Sequence, residues 1–238
     1  MFAAGELPML IGNAGRGSAA IDAWYRKYAA SEMKDVMLCF AHVHTGTLHS
    51  KQAIADPAQI KGMKIRPSNG TMAAYMSLLG ATNVQVSAPE SRDALEKGVA
   101  DAIVFPWHSI ITFGIDKVVK FHNDQKLYAS TFAWTMNRRW YESLSPANRK
   151  VIDNHCNNEW AAKVGVAWGD DEDSGQGKFE KMPGHTIVKL TPEQKKAWRD
   201  AAEPLYVKWI ESANKAGQDG KAALDALRDE LKKRDALN

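Results

Sequence analysis

Arg66 closes the run Lys61-Gly-Met-Lys-Ile-Arg66 and is followed directly by Pro67. An arginine at a strand end presents a planar fork of N–H donors that can hold a carboxylate through two parallel hydrogen bonds. The alternative role for such a residue is an internal ion pair. Farther along, Asp101-Ala-Ile-Val-Phe105-Pro106-Trp107 places two aromatic side chains at a strand end, where each can line a cleft or fill a core. His42 and His44 alternate along an extended stretch and so face one side. His44 can hydrogen-bond a ligand oxygen, the pair with His49 could chelate a metal, or both can be satisfied structural histidines. No cysteine or carboxylate stands close in sequence, and no metal is expected. Trp134, at period two in Thr131–Asn137, serves either a cleft or a core. No nucleophile elbow, phosphate-binding glycine loop or HExxH helix occurs and no cofactor is expected, while a Ser/His/Asp site assembled from distant residues stays open.

The elements that must position these residues alternate in type. Helical periodicity covers 17–33, with Ala20, Trp24, Tyr28 and Ala29 near one face. The apolar run 35–42 reads as a buried strand, after which the chain leaves its first lobe. Residues 63–66 form a strand stopped by Pro67, and 71–79 a helix capped by Ser68 or Asn69 and ended by Gly80. Strands are expected at 83–87 and 102–105, flanking a helix with Pro89, Glu90 and Asp93 in its first turn and Gly98 at its end. Two more strands are expected at 118–121 and 127–136. From Ser145-Pro146 long helices take over: one through Trp168 to the polar run 170–177, one from Thr191-Pro192 to Ala216, and a last one over 219–234, with a short strand at 185–190. Trp140, Trp160, Trp168, Trp198 and Trp209 read as helix packing. This alternation alone predicts an open α/β sheet with parallel pairs.

With 238 residues, 45% of them hydrophobic, the chain can build one large domain or two lobes. A net charge of +3 with interspersed signs argues against a nucleic-acid partner, and no apolar run approaches the ~20 residues of a membrane span. Cys39 and Cys156 carry no redox or zinc motif and read first as buried thiols. Spacing does not fix their distance, so a disulfide in an oxidising compartment stays open.

The segments Lys61–Arg66, Ala94–Asp101 and Asp101–Trp107 resemble the solute-binding proteins of TRAP transporters (tripartite ATP-independent periplasmic transporters). The resemblance implies a two-lobed α/β periplasmic-binding-protein fold with a helical C-terminus bracing both lobes. It also implies a non-enzymatic receptor in the periplasm, a small organic acid as ligand and integral membrane TRAP subunits as partners. An enzyme or sensor on the same fold is the alternative. The implied division is 1–43 with 131–171 as lobe I, 44–130 with 172–204 as lobe II, and 205–238 as bracing helices. Arg66 matches the arginine that salt-bridges the ligand carboxylate in that family. Phe105 stands where many relatives carry asparagine, Gly46 where sialic-acid binders carry a second arginine, and Ala88 where sugar-acid binders often carry phenylalanine. One cation and a roomy aromatic cleft, with Arg66, Phe105, Trp107, His44, Trp134 and Ala88 as lining, point to an apolar or aromatic monocarboxylate. Met1–Pro8 resembles an interior stretch of the family, so the expectation is a truncated chain or fragment, one cleft wall being supplied by what precedes it. Oligomeric state is not legible.

Overall fold

In chain order the elements are α1 (Ala14–Glu32), β1 (Val36–Ser50), β2 (Lys64–Arg66), α2 (Gly70–Leu78), β3 (Thr82–Asn83), α3 (Ser91–Glu96), β4 (Ala102–Phe105), α4 (Trp107–Thr112), β5 (Phe121–Asn123), β6 (Tyr128–Asn137), α5 (Arg138–Ser143), α6 (Pro146–His155), α7 (Asn158–Phe179), β7 (Thr186–Val188), α8 (Pro192–Lys215) and α9 (Gly220–Lys233). They come from a computed structural model that describes residues 1–238. Short polar side chains start the helices by accepting a backbone N–H: Asn13 from Arg16, Asn69 from Met72, and Thr191 within a full capping box.

The long strand β1 organises the sheet. Its residues 36–46 pair antiparallel with β6, while 47–50 pair with β4 on one side, and His49 and Ser50 pair with β5 on the other. Beyond β4 lie β2 and β3, and beyond β5 lies β7, giving the order β3-β2-β4-β1-β5-β7 with β6 on the first part of β1. The outer pairs β2–β3, β2–β4 and β5–β7 are parallel, as the helix–strand alternation requires. The chain therefore does not break after His42; one continuous strand carries it from the β6 side to the mixed sheet. The strand expected over 83–87 shrinks to Thr82–Asn83, because β3 is an edge strand with only β2 as partner.

Three large apolar cores result, with a small fourth cluster around Cys39, Phe40 and Ala161. The first joins Ile21, Trp24 and Tyr25 of α1 to Val43 of β1 and Leu224, Leu227 and Leu231 of α9. The second lies between Ile65, Val104 and the α2–α8 pair, with Met72, Tyr75 and Trp198 buried. The third covers the other sheet face with Ile103, Ile110 and Phe179. Leu205 and Tyr206 of α8 pack against both the first and the second core. The C-terminal helices thus tie the two lobes together.

The helix expected from Pro146 through Trp168 breaks at Cys156-Asn157, where Asn157 caps a new helix. That helix, α7, continues through the polar run 170–177 to Phe179. Glu172 is buried there because it accepts from the backbone N–H and the hydroxyl of Ser109 in the first turn of α4. Gly175 permits that approach, since a Cβ at 175 would lie 2.5 Å from the His108 nitrogen.

Cys39 in β1 and Cys156 after α6 are joined by a disulfide with S–S 2.05 Å, across 117 residues of sequence. This corrects the reading of two buried thiols: β1 passes directly under the α6–α7 corner, which sequence spacing does not reveal. A cross-link over so long a loop restricts the unfolded chain, typically by 2–4 kcal/mol. Reduction should lower the free energy of unfolding by about 3 kcal/mol, measured by denaturant titration with and without reductant. A titration curve unchanged by reductant would show that the bond does not form.

Candidate functional site

At the junction of β1, β2, β4, β6 and α7 lies a cavity of about 240 Å³. Arg66 enters from the end of β2, where pairing with β4 places it beside Ile103. It is only 9% exposed, yet it forms no salt bridge with any carboxylate of the chain. Its Nε donates to the carbonyl of Val86 at 3.3 Å, its guanidinium lies 5.2 Å from the centre of the Phe105 ring, and its Nη1 is buried without a partner. Burial pulls the guanidinium below its ordinary pKa, but an arginine stays charged in proteins. A buried cation without a counter-ion is costly, and an incoming anion removes that cost.

Two hydroxyls join it. Ser68 Oγ and Tyr128 Oη line the same cavity, and both are buried and unpartnered. Burial pushes the Tyr128 hydroxyl far above its ordinary pKa, so it remains a neutral donor. Tyr128 faces Gly46 across the β1–β6 pair. A Cβ on Gly46 would lie 2.5 Å from Tyr128 Cε1 and 2.6 Å from the Phe105 carbonyl oxygen. The tyrosine ring thus occupies the space a side chain at 46 would need. The lack of a second arginine there and the presence of the tyrosine are one structural fact.

The remaining wall is mostly aromatic: Phe105, Phe113, Phe132 and Trp168, with His44 between the last two, and Pro106, Ser109 and Ser130 complete it. His44 lies 5.0 Å from Phe132 and 5.1 Å from Trp168, centroid to centroid. Trp168 is held by its indole N–H donating to Glu172 at 3.3 Å, so the buried carboxylate that joins α7 to α4 also orients a cavity wall. Burial lowers the pKa of His44 to about 4, and the imidazole is neutral at physiological pH.

Of the residues singled out from sequence, the structure brings Arg66, Phe105 and His44 into this cavity. Trp107 lies outside it. It is 3% exposed and packs edge-on to His49 at 5.1 Å and near Phe179 at 6.1 Å, because it opens α4 and turns into the third core. Trp134 is 56% exposed on β6, stacks on Phe40 and donates to His42 Nε2 at 3.1 Å. Ala88 packs against the third core beside Val86 rather than on the cavity. His49 lies an odd number of residues from His44 and bonds His122 instead, so the three-histidine metal set is not assembled. Sequence reasoning missed Ser68, which it used as a helix cap, as well as Tyr128, Ser130 and Phe132. It assigned Trp168 to packing. The alternation of Tyr128, Ser130 and Phe132 along one strand face was the available signal.

Behind Phe105 runs a chain of imidazoles. His49 Nε2 meets the Phe105 carbonyl at 3.1 Å, its Nδ1 meets His122 Nδ1 at 2.7 Å, His122 Nε2 meets His185 Nδ1 at 2.9 Å, and His185 Nε2 meets Lys120 Nζ at 3.2 Å. A carbonyl only accepts and an ammonium only donates. Each histidine between them therefore has a determined tautomer, with every bond pointing from Lys120 toward Phe105.

A larger groove of about 350 Å³ lies between the Phe2–Glu6 turn, α2 and α8. None of the buried unpartnered polar atoms lines it, so it offers no comparable recognition chemistry.

Residues 7–212 match the model of the DctP family, bacterial extracellular solute-binding protein, family 7. The chain belongs to that family. It is a TRAP-type solute-binding protein, a two-lobed periplasmic receptor and not an enzyme, and the alternative of a catalyst on this fold has no support. A disulfide suits that oxidising compartment, and no helix is long and apolar enough to cross a membrane. Among solved structures, it is similar to a marine metagenome TRAP solute-binding protein specific for aromatic acid ligands, in complex with metahydroxyphenylacetate (32% identity, TM-score 0.90, covering 98% of this chain and 75% of that one). It is also similar to a TRAP solute-binding protein of Rhodoferax ferrireducens in complex with copurified benzoate (27% identity, TM-score 0.90, covering 98% and 74%). A third is a protein of Bordetella bronchiseptica with bound (R)- and (S)-mandelate (27% identity, TM-score 0.89, covering 98% and 75%).

Proposed function

We propose that this receptor captures a small aromatic monocarboxylate and delivers it to the integral membrane subunits of a TRAP importer. The observation that carries the reading is Arg66, a buried cation with no internal counter-ion, facing a cavity walled by aromatic rings. The guanidinium, Ser68 Oγ and Tyr128 Oη supply donors for one carboxylate. Stacking on Phe105, Phe132 or Trp168 adds ~0.5–1.5 kcal/mol beyond area burial, so the ion pair dominates. The cavity is below the ~300–1,000 Å³ typical of drug-sized ligands, which favours a single-ring acid. It holds one cation, which disfavours dicarboxylates, and its aromatic faces cannot pair the several hydroxyls of a sugar acid, each left unpaired at roughly 1–3 kcal/mol. The bound acids of the similar proteins named above support the same class. Because the lining comes from β1 and β6 on one side and β2 and β4 on the other, ligand contact with both sides favours the closed form.

A thermal-shift screen tests this. At a hundred times its Kd an aromatic monocarboxylate stabilises the folded state by about 2.7 kcal/mol, roughly 5–10 °C for a chain of this size. Benzoate, phenylacetate and mandelate should give such shifts, and benzamide and succinate should not. Stabilisation by sugar acids alone would overturn the assignment.

A further inference from the structure

The cavity carries a second set of polar groups that the carboxylate does not use. His44 and Ser130 face each other across β1 and β6, one same-face pair along from Gly46 and Tyr128. Two residues along a strand advance roughly 6.6–6.8 Å, about the span of a benzene ring with one substituent. His44 is 6% exposed and its Nδ1 is buried with no hydrogen-bond partner. Ser130 is 8% exposed, and its Oγ accepts from Asn69 Nδ2 at 3.2 Å, which leaves its own hydrogen to donate. Phe132 and Trp168 flank the imidazole. A ring anchored at Arg66 and Tyr128 and lying along this row brings its far edge to His44 and Ser130.

We propose that His44 and Ser130 form a hydroxyl-recognition subsite, which selects ring-hydroxylated aromatic monocarboxylates over unsubstituted ones. The inference rests on the reading of Arg66 as the carboxylate anchor. A neutral imidazole offers one donor and one acceptor. A hydroxyl both donates and accepts, so a single ligand hydroxyl can donate to His44 Nδ1 while accepting from the Ser130 hydroxyl. An unsubstituted ring leaves these groups unpaired, and sites built to bond a hydroxyl reject analogues that lack it. A second carboxylate would place a negative charge beside two neutral groups with no cation at that end. Ligand preference at the far end is thus set by hydrogen bonding rather than charge.

Isothermal titration of the full chain with benzoate, 3-hydroxybenzoate and 4-hydroxybenzoate decides the matter. The readout is the affinity ratio of hydroxylated to unsubstituted acid, so effects common to both cancel. The wild-type protein should prefer at least one hydroxybenzoate by tenfold or more. His44→Phe should bring that ratio close to one, Ser130→Ala should reduce it, and His44→Gln, which keeps a donor and an acceptor, should retain part of it. A wild-type ratio near one, with benzoate bound, overturns the subsite and leaves the carboxylate anchor standing. A preference undiminished in both His44→Phe and Ser130→Ala does the same. Failure of all three acids to bind overturns the anchor and the subsite together.

Discussion

Arg66→Ala should abolish measurable binding of any aromatic acid, and Arg66→Lys should not restore it. The guanidinium is buried, and the chain provides no carboxylate to pair with it. Removing one partner of a buried charge pair costs ~3–5 kcal/mol, a loss of two to three orders of magnitude or more in affinity. Lysine keeps the charge but loses the planar fork, and with it both the bidentate grip and the Nε bond to the Val86 carbonyl. The same geometry predicts a dissociation between binding and folding. Without ligand, Arg66 is a desolvated cation whose pKa burial already depresses. Its removal should therefore leave the unliganded protein within about 1 kcal/mol of wild-type stability. Titration calorimetry and denaturant melts of the same samples separate the two effects. Retained binding in Arg66→Ala would overturn the site; strong destabilisation without binding loss would make Arg66 a structural residue.

The imidazole chain should make the protein acid-sensitive well above the range in which carboxylates titrate. His49 and His122 are fully buried, and burial lowers their pKa to about 3 and about 2, with neighbouring imidazoles and Lys120 adding to the effect at His122. The unfolded chain protonates its histidines near pH 6.5, so below that value it binds protons that the folded chain refuses. Stability is therefore fully present above pH 6.5 and falls as the pH drops toward the folded values. Each such histidine costs about 2 kcal/mol between pH 6.5 and 5. The polarity of the chain explains why protonation is resisted. An imidazolium has two donors, so a proton added at His49 or His122 sets donor against donor and buries a charge. Against a total of ~5–15 kcal/mol for a typical domain, the loss at two sites is large. Denaturant midpoints at pH 7.5, 6.0 and 5.0 should fall in that order. Equal midpoints down to pH 5 would mean that these histidines are not held neutral by the fold. His44, at about 4, adds to the same trend, so acid should weaken the cavity wall along with the fold.

What could be read from the sequence is what depends on near neighbours. Helix starts follow from caps such as Asn69 and Thr191, whose side chains reach only three residues. The β–α alternation predicts the parallel pairs β2–β4 and β5–β7, and Pro67 after Arg66 places the arginine at a strand end. The class of fold and the place of Arg66 at a strand end were therefore legible. The composition of the cavity was not, because it depends on contacts between distant segments. Trp107, at the start of α4, turns into the third core, and Trp168, in the middle of α7, turns onto the cavity. Only the packing of α7 on α4, through Glu172 and Gly175, separates them. Tyr128 and Ser130 reach the site through the β1–β6 register, in which a slip of one residue would turn both away. The disulfide depends on β1 meeting the α6–α7 corner across 117 residues, a distance no local pattern encodes. Whether a polar atom is left unpaired is the least local property of all, since it requires every other group nearby to have found a different partner. That tertiary accounting, at Arg66, Ser68, Tyr128 and His44, distinguishes the candidate cavity from the larger groove beside α2 and α8.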